Sequence, residues 1–385
     1  MTKSTKEFAK AYKALNAEQK KAVDTIDGPV MVVAGPGTGK TQTLALRIAN
    51  ILLKTDTRPS SILALTYTES GARAMKNRLI ALIGPAAYDV TISTFHSFCA
   101  EVIRQNPADF TLDPASEPLS ELEKFKLIYG LISTSHLSDL RPVNAPYHYV
   151  KAILAAISNL KREGISPDRF DKLLASEQAD FDSSDLAPSV AKVVAKNLAK
   201  NRELSILYRG YQKALTENQT FDFEDMINFV RDAFSNNDEF LRTYQERFQY
   251  FLVDEYQDTN SAQNELLQLL TSFWGDQANI FVVGDPDQSI YRFQGASIEN
   301  MLGFFKQYPS ASVITLSANY RSTQIILDAA ESVIKHNSSR ISDVVPNLDP
   351  HLTAISQAAG DPLNMATVNS STAEGVYLAQ AIQKL

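Results

Sequence analysis

The chain has 385 residues, 44% of them hydrophobic and 21% charged, which is the composition of an ordinary globular protein with room for two or three domains. Its net charge of −7 excludes a uniformly basic surface that coats nucleic acid, although a local basic groove stays open. A single cysteine, Cys99, excludes an internal disulfide, and no apolar run is long enough to span a bilayer. The N-terminal stretch 1–16 predicts an amphipathic helix or a frayed end and has no signal-peptide core, so we expect a cytoplasmic protein.

Six short apolar segments predict the buried strands of a parallel sheet. They cover residues 29–35, 61–68, 89–94, 249–255, 279–285 and 312–317. Helical patterns follow several of these segments, at 41–54, 69–83 and 261–274. Because strands and helices alternate, the sequence predicts a layered α/β domain.

The alternation stops between about Pro107 and Thr220, where no segment predicts a strand. This interval predicts an all-helical insertion between two halves of one sheet domain, with helices at 118–133, 147–163 and 187–217. The acidic, serine-rich stretch SEQADFDSSD (176–185) predicts a surface loop within the insertion.

A further unit begins after Tyr320. It is predicted to contain a helix at 322–336, a short strand PLNMATV at 362–368 and a helix at 373–385. Because the sequence ends at that point, we expect an incomplete second domain.

The segment PVMVVAGPGTGKT (29–41) predicts a strand, a glycine-rich turn and the start of a helix. Glycines allow backbone N–H groups to point at phosphate oxygens, and the helix dipole adds positive charge there. Lys40 would reach the β- and γ-phosphates, and the Thr41 hydroxyl would ligate Mg²⁺. The usual first glycine of this pattern is replaced by Ala34. The alternative is a glycine-rich turn with an exposed lysine, which the flanking strand and helix disfavour.

Two adjacent carboxylates end another apolar run, in LVDEYQDTN (252–260). Charge at the end of a buried strand is costly unless it has a partner, and a divalent cation is such a partner. In P-loop NTPases, a strand beside the phosphate-loop strand ends in an aspartate that holds Mg²⁺. The sequence therefore predicts Asp254 as the metal ligand and Glu255 as the residue that orients and deprotonates the attacking water. A solvated strand end is the alternative.

Several motifs in order give the chain a resemblance, over nearly its whole length, to the N-terminal part of superfamily 1 DNA helicases of the UvrD/Rep/PcrA type. The motifs are LNAEQ (15–19), AGPGTGKT (34–41), ALTYTESGARAM (64–75), TFHSFC (94–99), LVDEYQDTN (252–260), VVGDPDQSIYRFQGA (282–296) and LSANYRS (316–322). The phosphate loop of this family normally begins with alanine, so Ala34 fits it.

The resemblance implies a fold and a domain division. It implies a RecA-like P-loop NTPase domain built from 1–106 and 221–317, with a parallel sheet. A helical insertion would occupy 107–220, and a second, incomplete RecA-like domain would begin at 318–385.

The resemblance also implies the nucleotide contacts. ATP would be held by the phosphate-loop residues Ala34, Gly35, Pro36, Gly37, Thr38, Gly39, Lys40, Thr41 and Gln42. Gln19 would read the adenine and Tyr320 would stack on it, while Gln288 and Arg321, an arginine finger, would reach the γ-phosphate. Thr41 and Asp254 would hold Mg²⁺. Without the family, Arg321 would be assigned to a surface ion pair, and Gln42 departs from the arginine common at its position.

Aromatic residues just past strand ends predict contacts with single-stranded DNA, because bases stack on such rings at the ligand-binding edge of an α/β sheet. The predicted stacking contacts are Tyr67, Phe95, Tyr291 and Phe293, and His96 is predicted to hydrogen-bond a base or phosphate. Each aromatic taken alone is more typical of core packing. The loop that joins Gln288 to Tyr291 and Phe293 would sense both nucleotide and DNA.

Function follows from the resemblance as an expectation. It implies an ATP-dependent 3′–5′ DNA helicase that acts on single strands and single/double-strand junctions, with partner proteins in DNA repair or replication restart and no membrane. Two alternatives stay open: the motor part of a helicase–nuclease subunit, and a truncated ATP- and DNA-binding module without catalysis. We expect weak or no activity from this chain alone.

Overall fold

The computed structural model describes residues 3–110, 112, 116–289, 298–336, 351–356 and 360–384. Six strands form its main sheet: β1 (Val30–Ala34), β2 (Ile62–Thr66), β3 (Thr91–Thr94), β4 (Tyr250–Val253), β5 (Ile280–Gly284) and β6 (Ser312–Leu316). They lie in the order β3-β2-β4-β5-β1-β6, and every pairing is parallel. The predicted parallel sheet is therefore confirmed.

Two hydrophobic cores, one on each face, hold this sheet. Successive side chains of a strand point to opposite faces. Accordingly Met31 and Val33 pack into one core with Phe98 and Phe251, whereas Val30, Val32 and Ala34 pack into the other. β1 is buried along its whole length between β5 and the outer strand β6, so the turn that follows it lies at the carboxyl edge of the sheet, one strand in from its end.

Five helices surround the first half of the sheet. They are α1 (Lys3–Lys13), α2 (Ala17–Asp24), α3 (Lys40–Lys54), α4 (Glu69–Ile83) and α5 (Phe95–Gln105). Asn16 caps α2 in a capping box with Gln19, and Thr68 and Thr94 cap α4 and α5 with their hydroxyls.

The insertion is helical, as expected. It contains α6 (Glu121–Thr134), α7 (Val150–Arg162), α8 (Pro167–Ser183) and α9 (Pro188–Glu217), packed around a core of their own. The prediction of a loop at 176–185 is wrong for most of its length, since α8 runs to Ser183. Ser166 caps α8, Pro167 opens it, and Phe170 and Leu174 bury one face, so these residues outweigh the polar composition that follows.

The chain then returns to the sheet. Helices α10 (Asp225–Asn236), α11 (Asp238–Arg247), α12 (Ser261–Thr271) and α13 (Ile298–Gln307) lie around its second half. Beyond β6, a short parallel pair joins β7 (Ala318–Asn319) to β8 (Thr353–Ala354). Helix α14 (Gln324–Ile334) lies between these two strands in the sequence, and α15 (Ser371–Gln383) follows them.

The strand predicted at 362–368 is wrong. Residues 360–370 are exposed and form no strand, and β7 takes Thr353–Ala354 as its partner instead. An apolar alternation becomes a strand only where a neighbouring strand accepts its hydrogen bonds, and none of the described residues does so here. None of the described helices combines the length and the apolar character that a bilayer crossing requires.

Candidate nucleotide and nucleic-acid site

The turn between β1 and α3 has the backbone of a phosphate loop. Gly37 and Gly39 have φ values of 73° and 86°, a left-handed conformation that glycine adopts without strain. A Cβ at Gly37 would also lie 2.7 Å from the Arg321 Cβ. Helix α3 begins at Lys40 with no side-chain cap, so the N–H groups of its first turn are left for another acceptor, such as an anion.

Two carboxylates, buried Asp254 and partly exposed Glu255, face this turn from the end of β4. The sequence predicted that the acidic strand lies directly beside the phosphate-loop strand. This prediction is wrong, because β5 lies between β1 and β4. Both strands are parallel and end at the same edge, however, and Lys40 Nζ lies 2.6 Å from Glu255 Oε2. Burial, and next the Glu255 carboxylate, raise the pKa of Asp254 to about 6.

Glu255 has a strained backbone. Its φ of 51° and ψ of 46° place a non-glycine residue in the left-handed region, which costs about 1–3 kcal/mol and is found mostly at functional sites. The conformation turns the chain sharply after Asp254, so that the Glu255 side chain reaches Lys40 while Asp254 stays buried.

A second acidic loop follows β5. Asp285 is buried, which raises the pKa of its carboxyl group, and its Oδ2 accepts a hydrogen bond of 2.6 Å from Gln288 Nε2. Gln288 lines a cavity together with Gly35 and Pro36. The structure thus brings Gln288 to the phosphate loop.

The residues expected to contact the base also meet at this loop. Gln19 Nε2 donates a 2.8 Å hydrogen bond to the Thr38 carbonyl, and the Tyr320 N–H donates one of 2.9 Å to the Gly37 carbonyl. The Tyr320 ring is half-exposed, and its hydroxyl accepts a 3.1 Å hydrogen bond from Asn16 Nδ2. An open aromatic face therefore stands beside Gln19.

Among the predicted nucleotide contacts, Gln42 is an exception, because it lies away from the others. It lines a separate depression with residues of α1 and α4, including Glu7, Lys10 and Arg78. Nothing in the described contacts links its side chain to the phosphate loop.

A cleft of about 280 Å³ opens where the sheet edge meets the helical insertion. Tyr67, His96 and Asp258 line it from the sheet side, and Arg162 lines it from α7. Burial lowers the pKa of His96 to about 4, so its imidazole is neutral at pH 7, and its Nε2 is buried without a hydrogen-bond partner. A polar edge and aromatic faces in one cleft suit an unpaired base.

Phe95 differs from its neighbours in this segment. Its side chain is 3% exposed and belongs to the core with Phe98, because α5 turns its apolar face inward. Burial leaves almost no ring surface for a base and argues against stacking by Phe95. The other two predicted contacts, Tyr291 and Phe293, lie outside the described residues.

Sequence reasoning missed Phe223, in the segment FDFEDM (221–226). Its ring is 51% exposed and stacks on His96, with the ring centroids 4.0 Å apart and the planes at 19°. The signal in the sequence was an aromatic residue between acidic residues at the return to the sheet. Its partner is far away in the chain, so the sequence gave no reason to pair them.

Buried ion pairs hold the FDFEDM segment against the insertion. Lys161 of α7 is 2% exposed, and its Nζ lies 2.7 Å from Asp222 and 2.8 Å from Asp225. Beside it, Arg162 pairs with Glu224 at 3.0 Å. Phe223 is therefore held between two charged residues that anchor α7.

The acidic residues of the site suit a magnesium ion that arrives together with phosphates. Across the described ranges, no group of three or more His, Cys, Asp or Glu side chains is arranged to hold a metal ion. Mg²⁺ usually keeps several waters and binds one or two carboxylates together with substrate phosphates. Buried Asp254 close to an uncapped helix start fits that mode, because a cation arriving with phosphates would offset its charge.

A parallel sheet, a glycine-rich turn entering a helix, and an acid pair facing the turn's lysine define a P-loop NTPase domain of the RecA-like kind. The family model for the UvrD/REP helicase N-terminal domain matches residues 15–309, and the chain belongs to this family.

Relatives in bacteria are described as ATP-dependent DNA helicases. The chain is 39% identical to "ATP-dependent DNA helicase PcrA" of Bacillus subtilis (strain 168) over 326 residues, which are 85% of this chain and 40% of that protein. It is 36% identical to the PcrA of Staphylococcus epidermidis (strain ATCC 12228 / FDA PCI 1200) over 372 residues, or 97% and 46% of the two proteins. The PcrA of Staphylococcus aureus (strain COL) is 38% identical over 326 residues, or 85% and 40%. The chain thus spans less than half the length of these relatives.

Proposed function

We propose that this chain is the ATP- and DNA-binding part of a DNA helicase that couples hydrolysis of Mg²⁺-ATP to 3′–5′ movement on single-stranded DNA. The observation that carries the proposal is the contact of 2.6 Å between Lys40 and Glu255, at a sheet edge that continues into an aromatic cleft. The direction of movement comes from the family resemblance alone.

Each residue of the nucleotide site has a role in the proposal. Backbone N–H groups of 35–39 and the start of α3 receive the phosphates, and Lys40 turns from Glu255 toward them. Bound magnesium would neutralise phosphate charge, and Thr41 with Asp254 would hold it. Glu255, once released by Lys40, accepts the proton of the attacking water.

Further residues complete the proposed nucleotide contacts. Gln19 binds the adenine edge, and the half-exposed ring of Tyr320 covers the base. Gln288 lines a cavity with the phosphate loop, and the Cβ of Arg321 lies against Gly37. The proposal assigns both side chains to the γ-phosphate. An arginine so placed stabilises the charge that develops in the transition state.

The DNA strand would follow the cleft between the sheet and the insertion. Tyr67 and the stacked pair of His96 and Phe223 offer aromatic faces along it, and a base stacked on such a face contributes about 1–3 kcal/mol. We include Tyr291 and Phe293, which lie outside the described residues, among the proposed stacking residues. Binding at single/double-strand junctions, a place in DNA repair or replication restart, partner proteins from those processes and a cytoplasmic location belong to the same proposal.

Steady-state ATP hydrolysis tests the proposal, measured with and without a single-stranded oligonucleotide. We expect stimulation by the oligonucleotide, and loss of hydrolysis in Lys40→Ala because the phosphates lose their point charge. Lys54→Ala is the matched control, since Lys54 lies at the other end of α3 in an exposed ion pair with Asp24. Full activity in Lys40→Ala would refute the proposed function.

A further inference from the structure

Gln257 is a buried side chain with no role in the site so far described. It lies in the single helical turn Tyr256–Asp258 after β4 and is 2% exposed. Its Nε2 donates hydrogen bonds to Glu255 Oε2 at 2.8 Å and to Asp258 Oδ2 at 3.3 Å. Its Oε1 accepts one of 2.9 Å from the Asp285 N–H. One amide thus contacts three acidic residues through both of its polar atoms.

The three partners lead to different parts of the site. Glu255 Oε2 is the atom that also pairs with Lys40. Asp258 lines the aromatic cleft. Asp285 holds the amide of Gln288 beside the phosphate loop. Gln257 therefore connects the nucleotide side of the sheet edge to its cleft side.

Close packing and hydrogen bonds on both polar atoms restrain the Gln257 side chain. A Cβ at Gly284 would collide with Gln257 Oε1, so the end of β5 lies directly against the amide. The two hydrogens of one NH₂ group serve two carboxylates that would otherwise repel each other. When phosphates draw Lys40 away, Gln257 becomes a principal remaining donor to Glu255 Oε2. A movement of the Glu255 carboxylate would then shift the Gln257 amide and, through it, the hydrogen bond to Asp258.

We propose that Gln257 is a positioning residue that transmits the state of the nucleotide site to the DNA cleft through Glu255 and Asp258. The inference rests on the proposed function. It concerns the coupling between the two ligands, since Gln257 itself is buried away from both.

The test measures how much nucleotide changes the affinity for DNA. A fluorescent oligothymidylate is titrated with the chain alone, with ADP and with a non-hydrolysable ATP analogue. Coupling between two sites is typically 5–150-fold and is reciprocal, so the effect of DNA on nucleotide affinity is measured too. We expect wild-type coupling of at least about 5-fold.

Two variants separate the amide donor from the space it fills. Gln257→Glu keeps the acceptor for the Asp285 N–H but loses the donor, and Gln257→Met keeps only the bulk. In both we expect the coupling to fall to less than about 2-fold in each direction, while DNA affinity without nucleotide stays within about 2-fold of wild type. The controls are Gln245→Glu and Gln245→Met, because Gln245 is another buried glutamine, whose Nε2 donates to Leu269 and Ser272.

Three results would overturn the inference. Wild-type coupling retained in both Gln257 variants would show that the amide transmits nothing. Equal losses in the Gln257 and Gln245 variants would reduce its role to general stability. Absence of coupling in the wild-type chain would also overturn it. Because these are binding measurements, they leave the proposed function to be judged separately by the Lys40-dependent hydrolysis.

Discussion

At the scale of single residues, the site keeps charge in places where charge is costly. Asp254 is buried beside Glu255, and Asp258 is half-buried on the cleft side. Burial, followed by Glu255, raises the pKa of both carboxyl groups to about 6. A site that holds such acids without their cation gives up stability, and the cation is expected to restore it.

The raised pKa of Asp254 gives a prediction with a definite sign. The folded chain keeps the Asp254 proton up to about pH 6, whereas the unfolded chain releases it near the ordinary aspartate pKa of 3.8. Ionised Asp254 therefore destabilises the fold as pH rises from about 4 to 6, and the full cost applies above that window. Asp254→Asn should raise the free energy of unfolding at pH 7.5 by about 1–3 kcal/mol and have little effect near pH 4.

Thermal unfolding without magnesium, at pH 4 and at pH 7.5, checks this prediction. Asp276→Asn is the control, because Asp276 is exposed on the surface of the same domain. An equal change at both pH values would mean that the stabilisation does not come from removing a buried charge.

At the scale of elements, hydrogen bonds from one buried arginine hold helix α3 against the end of α2. Arg47 of α3 is buried, and its guanidinium donates to the carbonyls of Ala22, Thr25 and Ile26 at the C-terminal end of α2. Burial lowers its pKa to about 9, so it remains charged at neutral pH. Since α3 starts at the phosphate loop and α2 carries Gln19, this attachment fixes the distance between the loop and the proposed adenine contact.

Loss of this attachment should affect stability and base selection together. Arg47→Met leaves three buried carbonyls without their donor and should lower the free energy of unfolding by about 2–4 kcal/mol. Because Gln19 is then less well placed, we expect the preference for ATP over GTP to shrink. Thermal unfolding and nucleotide titration measure the two effects, with exposed Arg58→Met as the control. An unchanged preference in a destabilised variant would confine Arg47 to a structural role.

Most elements could be predicted from local sequence, and the errors have physical causes. Continuous apolar runs such as 29–35, followed by turn residues, are typical of buried strands in a parallel sheet, so these strands were predictable. Helix α8 was not predicted, because its start depends on Ser166 and Pro167. These residues precede the polar stretch 176–185, whose composition is typical of a loop. The strand order was not evident, since β5 separates β1 from β4 although it follows both in the sequence.

The site shows the same division. Lys40 and the acid pair were predictable because each lies in a short motif with its own chemistry. Phe223 on His96 and Lys161 between two aspartates were not, because their partners meet only after the insertion packs on the sheet. Pairings of this kind depend on tertiary structure, which local sequence patterns do not reveal.

At the scale of the whole molecule, buried ion pairs connect the sheet domain to the helical insertion. Lys161 reaches from α7 between Asp222 and Asp225 where the chain returns to the sheet domain, and its ammonium group also lies over the Tyr211 ring. A buried cation between two carboxylates holds the insertion at this point and hence affects the width of the cleft beside it.

Removal of the cation should be more harmful than removal of the whole ion group. Lys161→Met leaves two buried carboxylates uncompensated and should cost about 3–5 kcal/mol. The triple variant Lys161→Met, Asp222→Asn, Asp225→Asn should recover much of that loss. Urea unfolding measures both, and Lys151→Met, an exposed lysine of the same helix, is the control. A triple variant as unstable as the single one would contradict this account.

The ion pair of Lys40 with Glu255 has a consequence for selectivity among nucleotides. An entering nucleotide has to compete with the Glu255 carboxylate, which lies 2.6 Å from Lys40 Nζ. Only a ligand with charged β- or γ-phosphates can do so. Adenosine and AMP, which lack the β- and γ-phosphates, would leave the pair closed whatever their base contacts. The site would therefore select di- and triphosphates before it discriminates between bases.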